Sequence, residues 1–346
     1  MILRTIFYEK EVESMIGRKR ISVIVPFYNS EKTILKCIHS ILIAKKNISI
    51  EIICIDDGSQ DKSRSIVHEL MRLHKNIRLY IHEENRGLLQ ARITALKHAK
   101  GKYIGFVDSD DYIQAGYFEN LYKTACFEKA DVVVGRIVNV SPEGVHYMQT
   151  RCLDFPYTQD AFQKHYDLYW QQAGTCYPWH VLWNKLYARK LWKQALKLIT
   201  KIDSKFTMLE DFVFSSIVLS QAKCYATTKD SYYYYVQSAD NSISQQGNYE
   251  KWEKNITDMG IAFSVVKTFL QKDAHLDGYL DFFETWKQRY ARYWAENIEN
   301  AVLFSEQEKE QLADLLIEKL SVKELHKPTD EDKYYYEIAE FGESVP

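Results

Sequence analysis

The 346-residue sequence lacks any apolar run near the roughly 20 residues needed to cross a bilayer. It also lacks a signal-peptide core, because charged residues interrupt positions 9–13. Its six cysteines are scattered, with no Cys-x-x-Cys pair and no histidine partner at metal-ligand spacing. These absences argue against an integral membrane protein and a cysteine metal site, and they favour reduced thiols in the cytoplasm.

A dominant charge is missing as well. The chain has 45 Lys and Arg against 47 Asp and Glu, for a formal net charge of -2, so no overall field attracts nucleic acid. Aromatic residues, in contrast, are abundant, with 25 Tyr and 7 Trp. They indicate either stacking surfaces for sugars or bases, or an aromatic-rich core.

Short β-branched runs alternate with amphipathic segments over the first third of the chain. The predicted strands are 21–25, 51–55, 77–81 and 103–107, and the predicted helices are 31–43, 62–73 and 88–99. This alternation predicts an α/β fold, with a mostly parallel sheet and helices on both faces. After about residue 115 we expect strands at 131–134 and 232–236, loops around Trp183 and Trp192, and helices from about 248.

Acidic residues follow the strand predicted at 103–107. Asp108, Asp110 and Asp111 surround Ser109, and such close carboxylates repel one another unless a cation lies between them. Mn²⁺ or Mg²⁺ prefers oxygen ligands and often joins a carboxylate to substrate phosphates. The alternative is that these residues cap a helix or form an Asx-turn.

A second acidic pair, Asp56 and Asp57, follows another predicted strand, and ligands of such sheets bind beyond the carboxyl ends of the strands. Either carboxylate could accept a nucleobase N–H or ribose hydroxyls, whereas the alternative is a simple Asp-Gly turn. Pro26, Tyr28 and Asn29 would form the opposite wall, with Tyr28 as a stacking surface or an ordinary loop aromatic.

Several motifs in this order resemble the signature of family 2 glycosyltransferases over about residues 21–113. The matching segments are Val25-Pro26-Phe27-Tyr28-Asn29, Ile55-Asp56-Asp57-Gly58-Ser59, Asn85-Arg86-Gly87 with Ala91-Arg92, Gly101-Lys102-Tyr103-Ile104, and Asp108-Ser109-Asp110-Asp111. The resemblance implies a GT-A fold, a nucleotide-sugar donor and inversion at the anomeric carbon. The chain departs from the family at Ile93-Thr94-Ala95, where Asn-x-Gly is frequent.

The resemblance also implies site roles. Asp110 would be the principal metal ligand. The nucleotide and donor set would comprise Pro26, Tyr28, Asn29, Asp56, Asp57, Arg92, Asp108 and Ser109.

The second half of the chain offers a candidate base. Glu210 and Asp211 begin a predicted apolar helix and are similar to the Glu-Asp motif of bacterial members, in which the Asp is the base. An inverting transfer needs such a base for the acceptor hydroxyl. Alternatively, both acids simply suit the dipole of a helix's first turn. The segment Trp183-Asn184-Lys185-Leu186-Tyr187 also resembles one found before that motif in capsule and lipooligosaccharide transferases. This resemblance implies an acceptor set of Trp183, Asn184, Lys185 and Glu210, although core packing explains the Trp equally well.

We therefore predict an N-terminal extension at 1–20, a GT-A domain at 21–245 and a helical C-terminal region at 246–346. Within the GT-A domain, 21–115 would bind the nucleotide and 116–245 the acceptor.

The expected activity is metal-dependent transfer from a donor, UDP-linked in most relatives, to a glycan or lipid-linked glycan in capsule or lipooligosaccharide synthesis. A lipid-linked acceptor would bring peripheral contact with the inner face of the plasma membrane. The alternative is a catalytically silent nucleotide-sugar-binding protein, whereas a nucleotidyltransferase would prefer a Gly-rich, basic loop that 26–31 lacks.

Overall fold

A computed structural model describes residues 21–44, 48–142, 144–147, 166, 180–202, 206–237, 248–272 and 274–323. The predicted N-terminal extension and the end of the predicted C-terminal region lie outside these residues. Within them, no helix has both the length and the apolar character that a membrane span requires.

The first half alternates strands and helices as predicted. The elements are β1 Ile21–Phe27, α1 Ile34–Ala44, β2 Ile50–Asp56, α2 Ser63–Leu73, β3 Ile77–Ile81, α3 Leu88–His98 and β4 Tyr103–Phe106. β1 pairs in parallel with β2 and β4, and β2 pairs in parallel with β3. Every residue of β1, β2 and β4 is buried, which explains their continuous apolar character.

The second half extends the same sheet with mixed strand directions. Its elements are β5 Tyr112–Ile113, α4 Tyr117–Phe127, β6 Val132–Ser141, β7 Gly144–Tyr147, β8 Lys185–Ala188, α5 Arg189–Ile199, α6 Glu210–Leu219 and β9 Tyr225–Val236. The strand order is β3-β2-β1-β4-β8-β6-β9-β5, with β7 beside β6. The predicted α/β fold is confirmed, and its parallel part is β3-β2-β1-β4 together with the β6–β9 pair.

Trp183 lies in a turn as predicted, but the prediction of loops is wrong for β8 and for α5, which carries Trp192. The four-residue β8 is too short to stand out by alternation, and its antiparallel pairing with β4 and β6 comes from tertiary contacts. Trp192 is buried on α5 and packs edge-on against Phe106 of β4, with ring centroids 5.2 Å apart.

The chain turns helical after residue 248, as predicted. Helices α7 Tyr249–Leu270, α8 Leu280–Glu299 and α9 Glu306–Leu320 pack against one another, and α7 also contacts α6. Asn248 caps α7, and Ser305 with Glu308 forms a capping box at α9. The C-terminal helices therefore lie against the helix that carries the candidate base.

Candidate active site

The carboxyl ends of β1, β2 and β4 bring the predicted donor residues to one edge of the sheet. Phe27 of β1 is in register with Asp56 of β2, and the amide of Val107 after β4 donates to the carbonyl of Ile24. The loops beyond the strands also touch, because the hydroxyls of Ser30 and Ser109 lie 2.8 Å apart. The predicted segments thus form one continuous edge.

The loop after β1 presents two predicted residues to solvent. Tyr28 is 46% exposed, which leaves a ring face open for stacking. Asn29 adopts a left-handed backbone conformation with φ 48°. Its side-chain oxygen accepts from the amide of Gln60 at 2.8 Å, and its own amide donates to the Ser59 hydroxyl at 3.0 Å. Asn29 therefore joins the β1 and β2 loops, whereas Pro26 is buried inside β1.

Asp56 is fully buried and its carboxylate is engaged within the protein. One oxygen accepts from the amide of Ser59 at 2.8 Å, and the other pairs with Arg64 Nε at 2.5 Å. This arrangement holds the turn that follows β2. It favours support of the turn over direct contact between Asp56 and a nucleotide.

Asp57 organises the neighbouring Asn85-Arg86-Gly87 loop. Its Oδ1 accepts from the amide of Arg86 at 3.0 Å, and its Oδ2 accepts from the amide of Gly87 at 2.8 Å. The imidazole of His82, at the end of β3, lies 2.7 Å from Oδ1 and 2.9 Å from the Thr94 hydroxyl. The sequence does not reveal this pairing, because the 25 positions between His82 and Asp57 give no recognisable spacing.

The acidic loop after β4 is held by its last residue. Asp111 accepts from the Tyr233 hydroxyl and from the amide of Val236, both at 2.8 Å. Burial, with repulsion from Asp110 and Asp108, raises the pKa of Asp111 well above its usual range. Burial and the nearby Asp108 raise the pKa of Asp110 to about 6. The loop therefore concentrates negative charge where a cation would relieve it.

Arg92 connects this loop to the candidate base. The guanidinium is 1% exposed, donates to Asp108 at 3.0 Å and to Glu210 at 2.9 Å, and also pairs with Asp211. Sequence reasoning expected Arg92 to face the nucleotide. The structure shows Arg92 as one buried cation among three carboxylates from two separate motifs, and its role towards a nucleotide stays a prediction.

The candidate base stands at the start of α6. The amide of Leu182 donates to Asp211 at 3.3 Å, and the Asp211 side chain keeps 19% of its surface exposed. Burial raises the pKa of both Glu210 and Asp211, and the Arg92 guanidinium opposes this rise. Asp211 is thus fixed, partly accessible and more basic than an ordinary aspartate, as general-base chemistry requires.

The predicted acceptor residues of the second half are buried. Asn184 and Lys185 are fully buried, and Trp183, 2% exposed, stacks on Tyr233 and Tyr235. Burial lowers the pKa of Lys185 well below its usual value, and Nζ donates to the Val181 carbonyl at 2.5 Å. Their roles towards an acceptor stay predictions, and their burial favours support of the site over direct contact. Glu210 is 7% exposed beside Asp211.

The donor set fits a metal that is shared with substrate. Within the described segments of 21–323, no three His, Cys, Asp or Glu side chains form a protein cage for an ion. Mn²⁺ and Mg²⁺ sites need only one or two carboxylates when phosphates and waters supply the other ligands. Asp110, partly exposed beside Asp108, has the position and chemistry for that role.

The fold is that of a GT-A-like α/β protein, with the candidate donor residues at the carboxyl ends of its strands and the candidate base linked to them by Arg92. Residues 22–192 match the family model described as "Glycosyl transferase family 2", so this part of the chain is a family 2 glycosyltransferase domain.

Named relatives agree with this assignment. The chain is 33% identical to "Glycosyltransferase GlyA" of Streptococcus pneumoniae serotype 4, over 70% of this chain and 34% of that protein. It is 32% identical to "Uncharacterized glycosyltransferase EpsJ" of Bacillus subtilis, over 65% and 63%. It is 30% identical to "Minor teichoic acid biosynthesis protein GgaB" of Bacillus subtilis, over 65% and 24%. The chain therefore spans about a third of the first relative and under two thirds of the second.

Solved structures share the fold. The S. aureus TarS fragment 1-349 in complex with UDP-GlcNAc aligns with a TM-score of 0.55 and 22% identity, over 87% of this chain and 72% of that one. The mannosyltransferase PcManGT of Pyrobaculum calidifontis, in complex with GDP-Man and Mn²⁺, aligns at 0.50 with 15% identity, over 97% and 91%. At such identities the likeness concerns the fold alone.

Proposed function

We propose that this chain is an inverting, metal-dependent transferase that moves a sugar from a nucleotide donor to a hydroxyl group. One observation carries the proposal. Arg92 holds Asp108 of the acidic loop and Asp211 of α6 on the same guanidinium, so the donor edge and the candidate base share one cluster. A base must lie this close to the donor if it is to act on a bound acceptor.

In the proposed reaction, Asp211 accepts the proton of the acceptor hydroxyl. The acceptor oxygen then bonds to the anomeric carbon, and the bond from that carbon to the diphosphate oxygen breaks. Its electron pair leaves with the nucleoside diphosphate, and attack from the opposite face inverts the configuration. A Mn²⁺ or Mg²⁺ ion bound at Asp110 would stabilise the charge of the departing diphosphate.

Further roles follow from position. Tyr28 would stack on the base of the nucleotide, since its ring is open, and Asp57 would shape the nucleoside pocket through the Asn85-Arg86-Gly87 loop. Asp108 and Ser109 would face the donor sugar or ribose. Glu210 would stand beside the acceptor.

We extend the proposal to a UDP-linked donor and a glycan acceptor of the bacterial surface. The support is analogy, because relatives carry teichoic acid and glycosyltransferase names and a structural neighbour binds UDP-GlcNAc. The described cysteines Cys37, Cys54 and Cys126 are free, which suits the reducing cytoplasm where donors of this kind are available. Peripheral contact with the membrane would follow if the acceptor carries a lipid.

Donor hydrolysis and transfer, assayed with a panel of UDP-sugars and Mn²⁺, test the proposal. We expect Asp211→Asn and Asp110→Asn each to lower turnover by about 100-fold or more, because one removes the base and the other a metal ligand. Asp314→Asn, an exposed acid on α9, is the matched control. Wild-type turnover in both site variants would refute the mechanism. Donor binding without turnover in the wild type would favour the silent binding protein.

A further inference from the structure

The C-terminal helix α7 directs one buried carboxylate towards the segment 206–209 that precedes the candidate base. Asp258 is 3% exposed. Its Oδ2 accepts from the amide of Thr207 at 2.8 Å, from the Thr207 hydroxyl at 3.0 Å and from the amide of Met208 at 3.3 Å. These donors lie three and four residues before Asp211, so the carboxylate fixes the backbone that leads into the base.

Lys254 completes this contact one helical turn away on α7. Its Nζ lies 2.6 Å from Asp258 Oδ2 and 3.0 Å from the Thr207 hydroxyl. The lysine therefore balances the charge of the buried carboxylate and also binds the segment that the carboxylate holds. Hydrogen bonds to charged groups are among the stronger contributors to local order.

The segment itself requires such support. Leu209 has φ 64°, a left-handed conformation that a non-glycine residue adopts only when surrounding contacts impose it. The helix that carries the base begins directly afterwards. Beyond the base, the ring of Phe212 packs against Trp286 of α8, with centroids 4.0 Å apart, and against Phe263 of α7 at 5.6 Å. The C-terminal helices thus hold the chain on both sides of Asp211.

The opposite side of the segment contacts the donor half. A Cβ added at Gly87 would come within 3.3 Å of the Thr207 methyl group, and Gly87 is the residue whose amide binds Asp57. Thr207 therefore lies between the loop held by Asp57 and the helix that carries Asp258. A displacement of this residue would reach the base through only three intervening positions.

We propose that Asp258, assisted by Lys254, is a positioning residue that sets the location of the Asp211 base through Thr207 and Met208. The inference rests on the proposed function, because it assigns to Asp211 the proton transfer described above. It makes the region after 248 part of the catalytic machinery, although the family model ends at residue 192. The consequence is specific: loss of the contact displaces the base, whereas the Asn85-Arg86-Gly87 loop that Thr207 touches keeps its own hydrogen bonds to Asp57, so the donor edge stays in place.

The test compares Asp258→Ala with Thr207→Val, which removes only one hydroxyl and keeps both backbone donors. Glu253→Ala, an exposed acid on the same helix, is the control. We expect Asp258→Ala to lower kcat by about 10-fold to 100-fold, because misplacement of a catalytic group by about 1 Å has effects of this size. The donor KM should stay within about twofold, and Thr207→Val should lower kcat by a few-fold.

Amide hydrogen exchange supplies a measurement that does not depend on turnover. We expect faster exchange in the peptide 206–212 of Asp258→Ala and unchanged exchange in 85–92. Wild-type kcat in a folded Asp258→Ala protein, or unchanged exchange in 206–212, would overturn the inference. A rise in donor KM with normal kcat would overturn it too. If the wild type transfers no sugar while exchange changes as expected, the proposed function fails and the structural contact stands.

If Asp258→Ala does not fold, the Thr207→Val variant decides the test. Normal kcat with normal exchange in that variant would then refute the role of the contact. A kcat loss without a change in donor KM would support it.

Discussion

The donor half and the base region are built on different principles. In the donor half, each functional residue except Arg92 lies within a few positions of a buried parallel strand, and strand register alone aligns Phe27 with Asp56. The base, in contrast, begins a helix after a left-handed Leu209, and its contacts come from distant parts of the chain. Arg92 is 119 positions away, and Asp258 holds the preceding turn from a separate helical region.

The difference implies a division of labour. A site built on strand ends is preorganised by the core, whereas a site on a helix start depends on the contacts around it. Apart from the candidate metal ligand Asp110, whose loss should also lower turnover, we therefore expect changes in the donor half to alter donor affinity and changes around the base to alter turnover. Arg92 belongs to both regions, which makes it the strongest place to test the distinction.

The largest effect is expected for Arg92→Met. This change leaves Asp108, Glu210 and Asp211 without the buried cation they share, and breaking a buried ion pair costs about 3–5 kcal/mol. Thermal unfolding should show a fall in Tm on the order of 10 °C. Arg72→Met, an exposed arginine paired with Glu69, is the control and should change Tm little.

The loss of stability in Arg92→Met should depend on pH in a definite direction. The pKa values of Glu210 and Asp211 are already raised by burial, and removal of Arg92 should raise them further. The folded variant then binds more protons than its unfolded state, so its stability falls as pH rises from the unfolded pKa through the folded pKa. The loss of unfolding free energy relative to wild type should be smaller at pH 5 than at pH 8. A deficit that shrinks with rising pH would contradict this account.

An intermediate effect is expected for metal binding at Asp110. Because its pKa is raised to about 6, the carboxylate is ionised above that pH and protonated below it. A metal ligand must be deprotonated, so the apparent Mn²⁺ affinity in the presence of UDP should be constant above about pH 6. Below that pH it should fall about tenfold per pH unit. Titration calorimetry at several pH values, corrected for Mn²⁺ binding by UDP alone, measures this.

Asp110→Asn provides the matched comparison for that titration. It should bind Mn²⁺ weakly at every pH, and a plot of its Mn²⁺ affinity against pH should show no change of slope near pH 6. A wild-type affinity that stays constant down to pH 5 would remove Asp110 from the metal site. Such a result would also weaken the assignment of the acidic loop to the donor edge.

The sequence allowed accurate prediction where structure is local. The strands before Asp56 and Asp108 were predicted from their apolar runs, and the resemblance to a family supplied roles for the acids that follow them. The contacts of Arg92, the pairing of His82 with Asp57 and the support from Asp258 were not predicted. These contacts join residues 16 to 119 positions apart and depend on how separate elements pack, so no periodicity or spacing in the sequence indicates them.

The same limit explains the acceptor set. Trp183, Asn184 and Lys185 were singled out by similarity to a motif, which cannot distinguish a side chain that lines a cleft from one that supports it. Lys185 begins the short strand β8 and Trp183 and Asn184 lie in the turn before it, all three in the interior, where Trp183 stacks on Tyr233 and Tyr235. Burial was set by strand pairing across the sheet, and the sequence around 183–188 carries no sign of it.

We expect the smallest effect for His82→Phe. This variant gives the sharpest test of the difference between the donor half and the base region. The change keeps an aromatic ring and removes two hydrogen bonds, those with Asp57 and Thr94. Asp57 keeps the amides of Arg86 and Gly87, so the loop should loosen and not collapse. We expect the donor KM to rise about threefold to tenfold, the order of one lost hydrogen bond, with kcat within about twofold. His98→Phe, an exposed ring on α3, controls for the substitution. Asp258→Ala, in contrast, should lower kcat at constant donor KM, so steady-state kinetics should distinguish the two variants. A loss of kcat in His82→Phe would contradict the assignment of donor binding to one region and of catalysis to the other.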